Sequence, residues 1–451
     1  MATPVNLRKT SDEMNLIDSL PEEVLCIVFD NLDLDSVKNA SLACKRWHNI
    51  IFLSNYVGRF VFLISEKIIP LAVDMCRNTD RCYRNLRCSV LGHHDPESQS
   101  SLFQTLLQSM NNLCWLKCSV VYPFLADAIP MMPQLRSLTL GCDHYVASVE
   151  ASDLSNSITS ITIRSSSVEY LELLGVSKLT IDMPQLKSFR GPFSVLCNSV
   201  NSTQLENLNH LTISKEKHDR EEKATLAKLA IIRKLTHLET LELPGEEENE
   251  LFLAICESCI ALKVLKFEEF KFSHKTVSTH LSKLTNLRQF KCFIVKNDSR
   301  DSDLELDFSS FSKLQNLFLR FSLIFLPSIE SLILPKSVEI LDITIDILNG
   351  EKMIQTIIDS SMQLRKLTIH IVFFKDQLTV YKLMKFLPLL KNLEVLVFCC
   401  CVFQKSDFLI LDAPMDRLRE LHFHNCTMYT SEFIGLNEKF PNLKYVCAHR
   451  C

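Results

Sequence analysis

Cys256 and Cys259 stand in the C-x-x-C spacing that holds zinc when two further thiolates or imidazoles converge on the same point. No second pair follows at a suitable distance. The two cysteines also continue an apolar helical stripe, Leu251, Phe252, Ile255, Cys256, Cys259, so they are expected to be core thiols. Cys399, Cys400 and Cys401 are expected to alternate along a strand, with Cys400 on the opposite face from its neighbours. His422 and His424 share a strand face as a metal pair would, but no carboxylate or thiolate clearly joins them, and they read as two polar strand residues. The acidic runs Glu246 to Glu250 and Asp298 to Asp307 read as solvated loops. The eight glycines never fall within ten residues of each other, which excludes a glycine-rich phosphate loop and a dinucleotide fingerprint. None of the thirteen histidines is followed by glutamate, and Gly-x-Ser-x-Gly is absent, so neither zinc-protease nor hydrolase chemistry has its residues. No catalytic residue, metal ligand or cofactor is assigned, and the chain reads as a protein that binds other molecules.

Composition narrows the class. Hydrophobic residues make up 47% and charged residues 23% of 451, enough apolar surface for a packed core. Net charge is -4, without a basic block that would neutralise phosphates, so nucleic acid is not an expected partner. The longest strongly apolar run, Val395 to Phe403, is too short to span a bilayer, and the N-terminus lacks an export-signal pattern. Eighteen cysteines in a chain this long are too dilute for a disulfide scaffold and are expected to be mostly reduced and buried. The expected setting is the cytoplasm, the nucleus or both, with no membrane contact.

The elements that would position a binding surface begin at Ser19-Leu20-Pro21-Glu22-Glu23. Proline suits a first helical turn, Ser19 a helix N-cap, and the two glutamates complement the helix dipole. Val24, Leu25, Val28, Phe29 and Leu32 then recur with helical period. Asp35 or Ser36 can cap a second helix carrying Val37, Ala40, Ser41 and Cys44, and a third short helix carries Trp47, Ile50 and Ile51. Three helices in about forty residues have too little interior to bury this much apolar surface, so the excess asks for a partner.

That order, Leu20-Pro21-x-Glu23-x-Leu25-x-x-Val28-Phe29-x-x-Leu32, then Leu34 and Leu42-x-Cys44-x-x-Trp47, closely resembles the F-box over Asn15 to Phe52. The resemblance implies binding to a Skp-family adaptor and, through it, to a cullin-RING ligase. It places Leu20, Pro21, Leu25, Phe29, Leu32, Leu34, Leu42, Cys44 and Trp47 at positions that either face the adaptor or build the bundle.

From about Leu86 onward a figure of three apolar residues repeats, as in Leu135-x-x-Leu138-x-Leu140, Leu262-x-x-Leu265-x-Phe267 and Leu418-x-x-Leu421-x-Phe423. Its leading residue recurs at Leu113, Leu135, Ile158, Leu238, Leu262, Leu287, Leu314, Leu364, Leu393, Leu418 and Leu443, mostly at leucine-rich-repeat spacing. The last two apolar positions are two apart, so both point from a strand into the interior. Leu251 to Cys259, Val277 to Leu284, Met353 to Met362 and Leu378 to Leu387 carry helical stripes that can cover the convex side. Ile158 to Val168 and Ile329 to Val338 leave no room for a helix and are expected as bare turns between strands. Lys215 to Lys223 is expected as a protruding loop or extended helix. The expected fold is α/β: a flexible N-terminus at 1–14, a three-helix F-box at 15–60, and an irregular leucine-rich-repeat horseshoe solenoid at 61–451. The whole arrangement resembles the F-box and leucine-rich-repeat family.

That resemblance implies the substrate-recognition subunit of an SCF-type (Skp, cullin, F-box) ubiquitin ligase, a non-catalytic chain that brings a protein near the enzyme. The competing class is a scaffold or regulatory protein that binds the adaptor or another partner without directing ubiquitination. The residues flanking the buried strand positions are expected to bind the substrate protein, whose identity the sequence leaves open. In the C-terminal half these are Phe318, Arg320, Lys366, His370, Val395, Val397, Glu420, His422 and His424, richer in apolar and imidazole groups than Ser137, Thr139, Ser160 and Thr162.

Overall fold

The computed structural model describes residues 17, 19–65, 68–78, 81, 83–89, 96–110, 112–141, 161–176, 179–198, 203–215, 222–245, 249–270, 280–294, 304–321, 329–345, 350–360, 363–371, 377–430 and 432–450. The segment expected at 1–14 lies outside them. So do most of the two acidic runs and of Lys215 to Lys223, the first three residues of the stripe beginning at Val277, and Ile158 and Ser160. The protein is mixed α/β and divides into two compact units, Met1–Val168 and Glu169–Cys451.

The first unit opens with three helices, α1 (Glu22–Asp30), α2 (Leu34–Ala43) and α3 (Lys45–Leu53), followed by a 3-10 turn at Asn55–Arg59. Pro21 sits outside α1 in extended conformation as its N-cap, with no side-chain cap. The first turn therefore relies on Glu22 and Glu23 against the dipole. The α2 cap is Asp33 rather than the expected Asp35 or Ser36, and its carboxylate accepts the Ser36 N–H at 2.7 Å. Leu34 can then start the helix. Behind the helices, strands Phe62–Ser65, Asn85–Ser89, Trp115–Cys118 and Ser137–Gly141 pair in parallel and in chain order. Asn85 ties the two parts together, its amide donating to the carbonyls of Gly58 and Phe60 at 2.5 and 3.2 Å.

The second unit is built on a parallel sheet that runs, again in chain order, from Tyr170–Leu174 to Tyr445–His449. Each repeat opens in the same way. The N–H groups of the residue before a strand and of its first residue both donate to the carbonyl preceding the previous strand. Arg419 and Glu420 thus bind the Glu394 carbonyl at 2.8 and 3.1 Å, and Lys444 and Tyr445 the Arg419 carbonyl at the same distances. The three apolar positions are sealed in most figures, as at Leu238, Leu241 and Leu243, or Leu393, Leu396 and Phe398, but not in the one that begins at Leu443. Helices at Glu222–Ile232, Asn249–Ser258, Gly350–Ser360 and Gln377–Phe386 lie between strands in the chain. Elsewhere between strands of the main sheet the chain lays down a second short strand. Leu304–Asp307 pairs with Ile329–Ile333, and Val402–Phe403 with Thr427–Met428, all parallel.

One expected strand is shorter than its sequence suggested. The strand at Val395 ends at Cys399, and Cys400 adopts a left-handed backbone with φ of 59°, turning the chain toward Val402. Asn425 and Arg450 occupy the same place after the next two strands, with φ of 52° and 54°. Cys401 and Cys426 then tuck inside the turn, their thiols donating to the carbonyls of Cys399 and Phe398. A buried thiol supplies there the donor that the tight turn needs.

Candidate functional site

The helical segment sorts its apolar residues into two sets. Leu25, Phe29, Val37, Ile50, Ile51, Phe52 and Tyr56 form the core, with Leu20, Cys26, Ala40, Trp47 and Phe60 packed against it. Phe29 is the centre, meeting Trp47 and Tyr56 edge-on at 5.5 and 5.8 Å. The second set faces outward. Among the described residues between Ile17 and Leu53, Ile17, Val24, Ile27, Val28, Leu32, Leu34, Leu42 and Leu53 are exposed, Leu34 by 56% and Leu42 by 81%. The helical period explains the split within α1: Leu25 and Phe29 lie four apart on one face, whereas Val24, Ile27 and Val28 lie on a neighbouring one.

The nine motif residues therefore divide by role. Leu25 and Phe29 build the bundle, and Leu20 and Trp47 lean on it. Pro21, Leu32, Leu34 and Leu42 stand on the surface. Cys44 is half-buried in the bend between α2 and α3, where its sulfur accepts the Trp47 N–H at 3.5 Å. The motif spacing did not single out Ile27, which is 62% exposed. Its signal was present in the i, i+3 relation to Val24. The edges are pinned by polar contacts: Arg46 donates to the Leu20 carbonyl at 2.5 Å, and Arg59 pairs with Asp30 while its guanidinium lies 4.7 Å from the Tyr56 ring centre.

The expected substrate-facing residues of the second unit fall on one face of its sheet. Register places Lys366, Val395 and Glu420 in one row, Val397 and His422 in the next, and His370, Cys399 and His424 in a third. Phe318 and Arg320 lie on Asn316–Phe321, separated from them by the strand Ile340–Ile345. Val397 departs from the exposed apolar contact expected of it. Only 7% of it remains accessible, because Thr368 and His422 close in from the two adjacent strands. Lys366, His370, Val395, His422 and His424 are half-buried, and Arg320 and Glu420 are exposed.

Asp342 is the residue the sequence reading missed, hidden between Leu341 and Ile343 in the strand Ile340–Ile345. It is 5% exposed. Arg320 clamps it with two bonds, Nε to Oδ1 at 3.1 Å and Nη2 to Oδ2 at 2.7 Å. His370 brings Nε2 within 3.1 Å of Oδ1, off the line of a hydrogen bond. Burial raises the carboxyl pKa, but the neighbouring His370 and Arg320 outweigh it and hold Asp342 below the ordinary value. His422 approaches Glu420 at 3.1 Å, and the ring of His424 lies 5.1 Å from that of His449. Burial, then the charges of His449, His422, His370 and Lys366, push the His424 pKa down. This face can make polar and imidazole contacts, and on its last described strand the Cys447 thiol lies 3.1 Å from Nε2 of His449. Cys256 and Cys259 are fully buried, and burial first of all raises each thiol to about 12, so both stay protonated small apolar groups.

Residues 17–57 match the family model described as F-box-like. No curated protein matches the chain.

Proposed function

We propose that residues 15–60 are an F-box that docks on a Skp-family adaptor, that 61–451 form a leucine-rich-repeat solenoid, and that the chain is the substrate-recognition subunit of an SCF-type ubiquitin ligase. The observation that carries this reading is the exposure of Leu34 and Leu42, with Ile27, Val28 and Leu32, in the segment that matches the F-box-like model. Eight large apolar side chains exposed within so few residues are costly in water and are accounted for by a protein partner. The solenoid assignment is supported by the recurring buried Leu-x-x-Leu-x-Leu figure and the repeated carbonyl ladder. In this reading the chain contributes binding on both sides and the ligase supplies the chemistry, in the cytoplasm, the nucleus or both. Among the described residues no helix is long and apolar enough to cross a membrane.

The test is co-purification. Leu34→Glu combined with Leu42→Glu changes only surface residues, so the chain is expected to keep its melting temperature while losing an adaptor and cullin that the wild type captures. Equal capture by both chains, or none by the wild type, overturns the docking assignment. Depletion of this chain separates the receptor from a scaffold: a captured solenoid partner accumulates only if its ubiquitination depends on the chain.

A further inference from the structure

The interior strands Ile340–Ile345, Lys366–Ile371, Val395–Cys399 and Glu420–His424 stand side by side, and together they carry two carboxylates, one lysine and three imidazoles. Both carboxylates are already engaged, Asp342 in the Arg320 clamp and Glu420 with His422 at 3.1 Å. Lys366 has no partner among the described residues, and in register it stands between the apolar Ile340 and Val395. Thr368, Val397 and Cys399 are sealed at 7% exposure each. In register Cys399 separates His370 from His424, and Val397 separates Thr368 from His422. The half-buried imidazoles and Lys366 therefore border a small sealed floor, with the His422 and His424 rings 6.2 Å apart on one side of it.

We infer that this patch receives an acidic segment of the recruited protein, its carboxylates lying among Lys366, His370, His422 and His424, and that binding draws protons onto the imidazoles. Charge complementarity sets the occupant, because the acids of these strands are engaged while Lys366 is not. A carboxylate suits the patch better than a phosphate. The one guanidinium among the expected substrate-facing residues, Arg320, is committed to Asp342, so no planar fork is left for a phosphate. The proton uptake follows from linkage. Burial and then His449, His422, His370 and Lys366 disfavour the protonated form of His424, and a carboxylate placed beside it favours that form. Segment and proton then each strengthen the binding of the other. The remaining groups facing the patch are Asp342, held ionised by its neighbours, Glu420 beside His422, and the Cys399 thiol, which burial first of all raises to about 12. On the next strand are Tyr445, raised chiefly by Cys447, and the Cys447 thiol against His449. The imidazoles are the groups expected to change charge between about pH 7.5 and 6.

This inference rests on the reading that the second unit recruits a protein, and it is tested on the full chain without the adaptor. The probe is a fluorescein-labelled glutamate decamer followed by anisotropy, with a glutamine decamer as the uncharged control. The wild type is expected to bind the glutamate probe alone, with affinity rising from about pH 7.5 to 6 by up to about tenfold per pH unit for each proton taken up. Calorimetry in two buffers of different ionisation enthalpy reads that uptake directly, and His424→Gln is expected to take up fewer protons. Lys366→Ser is expected to weaken binding about two- to fivefold, the loss of one partly exposed ion pair. Lys313→Ser, at an exposed lysine outside these strands, is expected to leave it unchanged. No binding of the glutamate probe at about 1 mM, the weak end of specific association, overturns the inference. So does equal binding of the two probes, an affinity that does not rise on acidification, the absence of proton uptake, or the same loss from Lys366→Ser and Lys313→Ser. A partner protein that the wild type and the double variant Lys366→Ser with His424→Gln capture equally well also overturns it, and leaves recruitment by another surface standing. Adaptor capture that fails while the glutamate probe binds as expected refutes the F-box assignment alone.

Discussion

His424 shows how a single side chain on this face answers to its surroundings. Burial and the neighbouring cations hold its pKa below the usual 6.5, so near neutrality it is uncharged in the folded protein. When pH falls through 6.5 the unfolded chain takes up the proton first, and stability is lost from there down through the folded-state pKa. The melting temperature is therefore expected to fall as pH drops below about 6.5, and His424→Gln to flatten that fall. Asp342 acts lower on the scale. Its depressed pKa contributes stability above the ordinary carboxylate range that disappears only on stronger acidification. Thermal unfolding of wild type and His424→Gln across that range checks the assignment, and parallel curves would refute it.

At the scale of the element, the figure Leu186-x-x-Phe189-x-Gly191 explains why one repeat escaped the apolar count. Its third interior position is glycine, and the space is taken by neighbours: a Cβ on Gly191 would come within 3.0 Å of both the Leu173 Cβ and the Phe189 ring. Phe189 fills from one strand position what two leucines fill elsewhere. Gly191→Val is accordingly expected to destabilise the protein by about 1–3 kcal/mol, the usual cost of overpacking, seen as a lower denaturation midpoint. If the separate costs of Gly191→Val and Phe189→Ala simply added in the double variant, the space would not be shared as described. The short strands after Cys400 and Asn425 belong to the same scale, since a left-handed residue there turns the chain out of the preceding strand.

For the molecule as a whole, the proposed docking surfaces use separate residues in separate units, so they are expected to fail independently. Leu34→Glu with Leu42→Glu should abolish adaptor capture and leave capture of a substrate protein by the second unit unchanged, while alanine at Phe318 and His422 should do the reverse. Pull-down with both variants measures this, and a variant that loses both partners with its melting temperature intact would contradict it.

The amino-acid order alone determined the three-helix start, the parallel repeating strands and most of the buried positions. Local period decides which residues a helix or strand presents together, and Leu25, Phe29, Leu241 and Leu317 obeyed it. It could not divide the nine motif residues by role, because Leu34 and Leu42 are as apolar as Leu25 and differ only in what packs on them. Nor could spacing anticipate that Asp33 rather than Asp35 caps α2, that Val397 is enclosed between Thr368 and His422, or that Asp342 lies where Arg320 and His370 meet. The cap is a local contact between Asp33 and Ser36, whereas the surroundings of Val397 and Asp342 depend on which strands become neighbours and in what register, which exists only once the sheet has formed.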